Sequence, residues 1–224
     1  FTKEIDEALI SGKIDLAVHS LKDVPTQLSE DLEIICVLER EDPCDALIGN
    51  KLSNIAALPN GARIGTSSPR RRAQLLYNRP DLKVIPIRGN VMTRINKLKT
   101  EEYDGTLLAV AGLRRLQRTQ HISAVLAPDE MLPAAAQGAI GIICRKGDNR
   151  IFELLDPINH QVSAQCVAAE RSLLATLGGS CNTPIAALAE KTDKGDMHLR
   201  AMIADPNGLK LFSTERIGSC DDAM

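Results

Sequence analysis

The sequence predicts an α/β protein, with helices on the faces of a parallel sheet, followed by a smaller α+β unit. Three observations carry this. A strand–loop–helix pattern occurs three times in succession between residues 62 and 116, the arrangement that folds into a parallel sheet. After a long helical pattern, short strand patterns alternate with polar turns from residue 184 onward. The 224 residues are 44% apolar and 25% charged, ordinary values for a globular chain with enough apolar surface for one or two cores.

Taken in order, Phe1, Ile5, Ala8 and Leu9 fall at helical spacing and Gly12 supplies a stop. Leu16-Ala17-Val18 and Glu33-Ile34-Ile35-Cys36-Val37-Leu38 read as strands. Glu39-Arg40-Glu41-Asp42-Pro43 is polar and turn-rich, a candidate crossover between domains. Arg63-Ile64, Lys83 to Ile87 and Thr106 to Val110 then open the three strand–helix units. The helices cover residues 70–77, a segment through Arg94 and Leu98, and a short stretch with Arg114 and Arg115. Small residues 133–141 lead into a strand at 140–143, and a helix follows over 162–177, stopped by Gly178-Gly179. Strands at 184–188 and 198–204 complete the smaller unit, with a turn at Asp205-Pro206-Asn207-Gly208.

Composition excludes several classes. The formal net charge is −2, against the broad basic footprint of a general nucleic-acid binder. Trp is absent and aromatics are 2% of residues, which argues against base-stacking platforms. No apolar run reaches the roughly 20 residues of a membrane span, and the first residues have no signal-peptide pattern. The six cysteines form no C-x-x-C and the four histidines are scattered, so no metal site is expected and the thiols read as reduced.

The chemistry concentrates at strand ends. In Gly65-Thr66-Ser67-Ser68-Pro69-Arg70-Arg71-Arg72, a serine can cap the helix and Pro69 suits its first position. Guanidinium groups in a first helical turn oppose the helix dipole, so an anionic ligand is expected to offset them. Arg88 and Arg94 mark the next junction and Arg114-Arg115 the third. Arginine at three junctions points to one polyanion, and carboxylates suit its planar fork. Nucleotide phosphate is disfavoured, since neither a P-loop nor a G-x-G-x-x-G pattern occurs. One of Arg114 and Arg115 is expected only to cover a helix surface.

Val18-His19-Ser20-Leu21-Lys22-Asp23-Val24-Pro25 brings a carboxylate to another strand end. Asp23 among cations stays ionised and suits stabilisation of a transient cation or a proton shuttle, although Lys-Asp before Pro is also what a solvated turn looks like. His19 reads as a satisfied structural histidine, and Cys36 and Cys144 as small buried hydrophobes. Cys181, in Gly178-Gly179-Ser180-Cys181-Asn182-Thr183-Pro184, sits where glycines permit close approach, a setting for a nucleophilic or tethering thiol. The residues alone leave open an enzyme, a non-enzymatic small-anion binding module using the same arginines, and a cysteine hydrolase needing a histidine beside Cys181.

Phe1-Thr2-Lys3-Glu4-Ile5, His19 to Pro25, Gly65-Thr66-Ser67-Ser68, Arg88-Gly89-Asn90 with Thr93-Arg94, Leu108 to Leu113, Ala136-Gln137-Gly138-Ala139 and Gly179-Ser180-Cys181 closely resemble the porphobilinogen deaminase (hydroxymethylbilane synthase) family, in order along essentially the whole chain. The resemblance implies two periplasmic-binding-protein-like domains with mixed sheets plus a smaller α+β domain: 1–38 with 139–156, 44–132, and 161–224. It implies a dipyrromethane cofactor thioether-linked to Cys181, onto which four porphobilinogen units are condensed with loss of ammonia, releasing 1-hydroxymethylbilane. Asp23 matches the family's catalytic aspartate. Ser20, Lys22, Asp23, Thr66, Ser67, Ser68, Arg70, Arg71, Arg88 and Gly89 match cofactor contacts, and Arg88, Arg94, Arg115 and Gln137 substrate contacts. A cytoplasmic (or plastid) monomer acting on a small molecule, without nucleic acid or membrane, is implied. Family chains extend before Phe1 and past the end of this one, so a longer protein is expected. Pro69 stands where Leu is usual, and Leu21 where Met is common.

Overall fold

The computed structural model describes residues 3–49, 53–100, 102–180 and 182–220. In chain order the strands are β1 (Leu16–Ser20), β2 (Leu32–Val37), β3 (Asp45–Gly49), β4 (Arg63–Gly65), β5 (Lys83–Ile85), β6 (Gly105–Ala109), β7 (Ala124–Leu126), β8 (Ile140–Arg145), β9 (Ile185–Lys191), β10 (Met197–Ala204) and β11 (Leu211–Gly218). The helices are α1 (Lys3–Ile10), α2 (Pro69–Asn78), α3 (Val91–Lys97), α4 (Val110–Arg115), α5 (Asn149–Leu155) and α6 (Gln161–Thr176).

Three sheets result. The first, β1-β8-β2, is antiparallel throughout, with a register shift between Ile34 and Cys36. The second has the order β5-β4-β6-β3-β7. Its β4 pairs in parallel with β5 and β6, as the strand–helix repeats require, whereas β3 pairs antiparallel with β6 and β7. The sheet is therefore mixed rather than purely parallel. The third, β11-β10-β9, is an antiparallel meander. The architecture is mixed α/β, as expected.

The second sheet shows how the pattern becomes a core. Successive residues of β3 point to opposite faces: Leu47 packs with Leu107, Ile64 and Leu75 on one side. Ala46 and Ile48 pack with Leu108, Ile95 and Leu113 on the other. A strand covered on both faces is a continuous apolar run without alternation, which is why Ala46-Leu47-Ile48 carried no strand signature. Strand β11 escaped sequence reading for the opposite reason: it is an edge strand, mostly exposed.

Helix α6 joins the sheets. Its Val167 enters the core of the first sheet, while Cys166 and Ala169 pack with Ala189 and Met197 of the third. The chain leaves the first sheet through residues 38–44 and returns through 127–139. Arg40 pins both crossovers to α6. Its backbone N–H donates to Ser163 Oγ at 2.9 Å, its Nε to the Gln137 carbonyl at 2.8 Å and its Nη1 to Glu170 Oε1 at 2.6 Å. Gly138 lies at this crossing with φ +89°, and a Cβ there would run into the Glu41 carbonyl oxygen, so both conformation and space call for glycine.

Candidate active site

The turn after β1 is held by its apolar residues. Leu21 and Val24 are buried, and the Leu21 N–H donates to the Ala139 carbonyl at 3.1 Å. From α6, Arg171 donates to the carbonyls of Val24 (3.2 Å) and Pro25 (2.6 Å). With the turn anchored on both sides, Asp23 is exposed and Lys22 half-buried at the strand end.

After β4, Ser68 caps α2, accepting from the Arg71 N–H at 3.4 Å, with Pro69 in the first turn. Thr66 is buried and its Oγ1 accepts from the Ser68 N–H at 3.1 Å; Ser67 Oγ donates to the Ile87 carbonyl at 2.9 Å. Arg70 and Arg71 turn inward. Arg70 Nη1 lies 2.8 Å from Asp45 Oδ2 and donates to the Leu132 carbonyl at 2.8 Å. Arg71 Nη2 lies 2.7 Å from Asp45 Oδ1, and its Nη1 donates to the Leu107 carbonyl at 2.8 Å.

Asp45 is 0% exposed. Burial alone would raise its pKa, but the two guanidinium groups outweigh that and hold the carboxyl well below its ordinary range. This corrects the expectation that a ligand must balance the arginines at the start of α2, because a buried carboxylate of the protein already balances one of the two charges. Asp45 escaped sequence reading because it heads an apolar strand after a polar stretch. The available signal was that two arginines beside a buried strand require a nearby counter-charge.

Gln137 closes the same cluster, its Nε2 donating to the Pro43 carbonyl at 2.6 Å and to Asp45 Oδ1 at 2.9 Å. Its buried Oε1 has no partner among the described residues. A cavity of about 170 Å³ is lined by Lys22, Asp23, Ser68, Arg70, Arg71 and Gln137, and by Leu174, Ser180, Thr183 and Ile185. Burial, then the charge of Arg71, lowers the Lys22 pKa to about 8, with Asp23 and Asp45 acting in the other direction. The cavity thus collects residues that follow β1, β4 and α6, three elements distant in sequence.

The other expected residues lie around rather than in it. Arg88 is exposed, and its guanidinium bonds none of the described residues. Gly89 has φ +118°, and Arg94 Nε donates to its carbonyl at 2.8 Å. Arg94 has its pKa lowered by burial and then by the charge of Arg71, which marks it as a neighbour of that group. Arg115 Nη2 donates to the Gly138 carbonyl at 2.8 Å, and Arg114 pairs with Glu41 and Asp42. The third junction is therefore bound to the crossover. Ser20, Thr66 and Ser67 do not line the cavity. Cys181 lies outside the described residues. Its neighbours Ser180 and Thr183 form a turn in which the Thr183 N–H donates to the Ser180 carbonyl at 3.0 Å, and both line the cavity. The adjoining glycines have local duties: Gly178 takes φ +62° after α6, and Gly179 leaves room for Leu174 and Ile185. Against expectation, the His19 Nε2 is buried without a partner among the described residues; Cys36 and Cys144 are buried as expected. No group of three or more His, Cys, Asp and Glu among the described residues is placed to hold a metal ion.

Residues 1–153 match the family described as "Porphobilinogen deaminase, dipyromethane cofactor binding domain", and residues 164–224 match "Porphobilinogen deaminase, C-terminal domain". The chain belongs to the porphobilinogen deaminase family. It is 49% identical to the chloroplastic porphobilinogen deaminase of Oryza sativa over 99% of its own length and 62% of that protein's. It is 48% identical to the porphobilinogen deaminase of Ehrlichia chaffeensis over 99% of its length and 74% of the relative's. The chain thus spans 62% and 60% of the length of the rice and pea relatives. A periplasmic substrate-binding protein of an ABC transporter from Coxiella burnetii aligns at 16% identity and a TM-score of 0.46, over 74% of this chain and 79% of that one. No helix among the described residues is long and apolar enough to cross a membrane.

The donor set fits the cofactor that the porphobilinogen deaminase domain binds. The Nε atoms of Arg70 and Arg71 and Oε1 of Gln137 are buried without partners among the described residues, beside the ammonium of Lys22 and the hydroxyls of Ser68 and Thr183. Such a set receives carboxylates through the guanidinium forks and an N–H through the amide oxygen. At about 170 Å³ the cavity is smaller than the roughly 300 Å³ at which small-molecule sites begin, so a two-ring ligand would need more space than it offers.

Proposed function

We propose that this chain is the working part of a porphobilinogen deaminase, a transferase that condenses four porphobilinogen molecules stepwise onto a dipyrromethane primer, releasing ammonia and 1-hydroxymethylbilane. The observation that carries the reading is the shared cavity, in which an exposed carboxylate, a half-buried ammonium and two buried guanidinium groups adjoin Ser180 and Thr183, which flank Cys181 in the sequence. The bound primer supplies the nucleophilic pyrrole to which each new unit is joined.

In this reading the protein's residues position and stabilise. Arg70, Arg71, Lys22 and Ser68 bind acidic side chains of the primer, with Ser20, Thr66, Ser67 and Gly89 shaping the surrounding strand ends. Arg88, Arg94, Arg115 and Gln137 receive the incoming substrate. Holding both partners in register converts a bimolecular step into an effectively unimolecular one. Asp23, exposed at the mouth, stabilises the positive charge that develops on the substrate as ammonia leaves, and Cys181 anchors the growing chain so that it is not lost between additions. The family matches of both segments support an enzyme over a simple anion-binding module.

The three sheets are proposed as the cores of three domains: 1–38 with 139–156, 44–132, and 161–224. The compartment proposed is the cytoplasm, or a plastid in a photosynthetic host, with the protein acting as a monomer on porphobilinogen. Intact mass measured before and after adding porphobilinogen tests the reading. A covalent increment of one dipyrromethane on the wild type, and none on Cys181→Ser, is expected. A wild type that stays unmodified and releases no ammonia overturns it.

A further inference from the structure

Asp45 does not line the cavity, yet it holds three residues that do, two by hydrogen bond and one by ion pair. Its Oδ1 accepts from Arg71 Nη2 at 2.7 Å and Gln137 Nε2 at 2.9 Å, and its Oδ2 forms an ion pair with Arg70 Nη1 at 2.8 Å without a hydrogen bond among the described residues. It sits at the start of β3, hydrogen-bonded into the sheet between Ala109 of β6 and Leu126 of β7, so the carboxylate is fixed by a paired backbone rather than a loop. The donors it uses are as informative as those it leaves. Arg70 Nη1 donates to the Leu132 carbonyl and lies in an ion pair with Asp45, and its Nε and Nη2 bond none of the described residues. That Nε–Nη2 edge is a planar fork matched to a carboxylate. Gln137 likewise gives its Nε2 to Asp45 and the Pro43 carbonyl, keeping Oε1 unpartnered.

Two buried guanidinium groups repel each other, and each lowers the cost of the other swinging out to solvent. One buried carboxylate between them removes that tendency while leaving the cluster net positive, so the site is both held in place and still cationic. We propose that Asp45 is the positioning residue of this site, holding Arg70, Arg71 and Gln137 in the orientation that receives the carboxylates of the ligand. Preorganisation of this kind is what a supporting shell contributes to a binding site. The inference rests on the functional reading above for the identity of the ligand, but not for the geometry.

Two readouts separate positioning from mere support. Primer-free, full-length protein is incubated with porphobilinogen, and the loaded fraction is read by intact mass. The pH dependence of Lys22 acylation is read by peptide mapping without ligand. Lys22 faces Arg71, Arg70, Asp23 and Asp45; burial and then the charge of Arg71 lower its pKa to about 8, and the charges of Asp23 and Asp45 oppose that fall. In Asp45→Asn, loading is expected to fall at least fivefold and the Lys22 midpoint to drop below about 8. In Asp45→Glu, which keeps the charge but shifts it by one methylene, loading falls at least threefold while the midpoint stays near 8. A folded Asp45→Asn that loads like wild type and keeps its Lys22 midpoint overturns the inference. Where circular dichroism shows that the Asn variant does not fold, wild-type loading in Asp45→Glu overturns it instead. Failure of the wild type to load overturns the functional reading alone, and the ligand-free Lys22 midpoint of the Asn variant then decides the role of Asp45.

Discussion

Arg40 Nη1 and Glu170 Oε1 lie 2.6 Å apart where the first crossover meets α6. Glu170 is 0% exposed and also accepts from the backbone N–H groups of Ala136 (2.6 Å) and Ala189 (2.7 Å). One carboxylate therefore ties together the outgoing crossover, the returning crossover, α6 and the third sheet. Because the cavity is lined from the returning crossover, α6 and the third sheet, this knot helps set the distance between Lys22 and Asp23 on one side and Ser180 and Thr183 on the other.

Arg40→Leu is accordingly expected to destabilise the protein by about 3–5 kcal/mol, the usual consequence of leaving a buried charge without its partner. Urea denaturation followed by circular dichroism measures it. A loss below about 1 kcal/mol would show that the knot contributes little.

Asp23 is exposed, so Asp23→Asn should leave the unfolding midpoint nearly unchanged, within about 0.5 kcal/mol. Turnover should fall by roughly 100-fold or more, as when a group that stabilises transition-state charge is removed. Ammonia release in the steady state is the assay, and wild-type turnover in this variant would remove Asp23 from the chemistry.

The lowered pKa of Lys22 has a defined sign. Its value in the fold is about 8 against an ordinary 10.5, so between those values the unfolded chain holds more protons and stability rises with pH. Below about pH 8 both states are protonated and the cost of burying the ammonium is present in full. Lys22→Met should therefore raise the melting temperature at pH 7 and flatten the gain between pH 8 and 10.5. It should also slow loading by roughly tenfold or more, the worth of a charged hydrogen bond. In the wild type, loading should weaken as the pH climbs through about 8.

The Arg88 guanidinium bonds none of the described residues, and its backbone carbonyl keeps its bond from Lys97 Nζ in the variant, so Arg88→Leu should cost almost no stability. Its expected effect is a stall in elongation, visible by mass spectrometry as accumulated protein bearing one to three added porphobilinogen units. Normal elongation in that variant would exclude Arg88 as a carboxylate anchor.

Local signals announced most of the elements. Gly12, Ser68-Pro69 and Gly178 mark helix ends through cap chemistry and backbone freedom, which act over a few residues and are written in the chain. The strand–helix repeats of residues 62–116 likewise announced β4, β5 and β6. Strand β3 stayed hidden because both its faces are buried, and β11 because neither is well covered. In each case the missing alternation depends on neighbours that lie elsewhere in the sequence.

The site divides in the same way. The nature of the groups at the strand ends, Lys22-Asp23 and Arg70-Arg71, and hence the preference for an acidic ligand, is a property of residue types and is legible in one dimension. Which guanidinium edges stay unpaired, and that Asp45 rather than a ligand neutralises one of the pair, depends on β3 crossing beside α2 through the antiparallel β3–β6 pairing. Electrostatic balance in a buried cluster is set by distances of about 3 Å between residues some 25 to 90 positions apart, and only the packed chain specifies those.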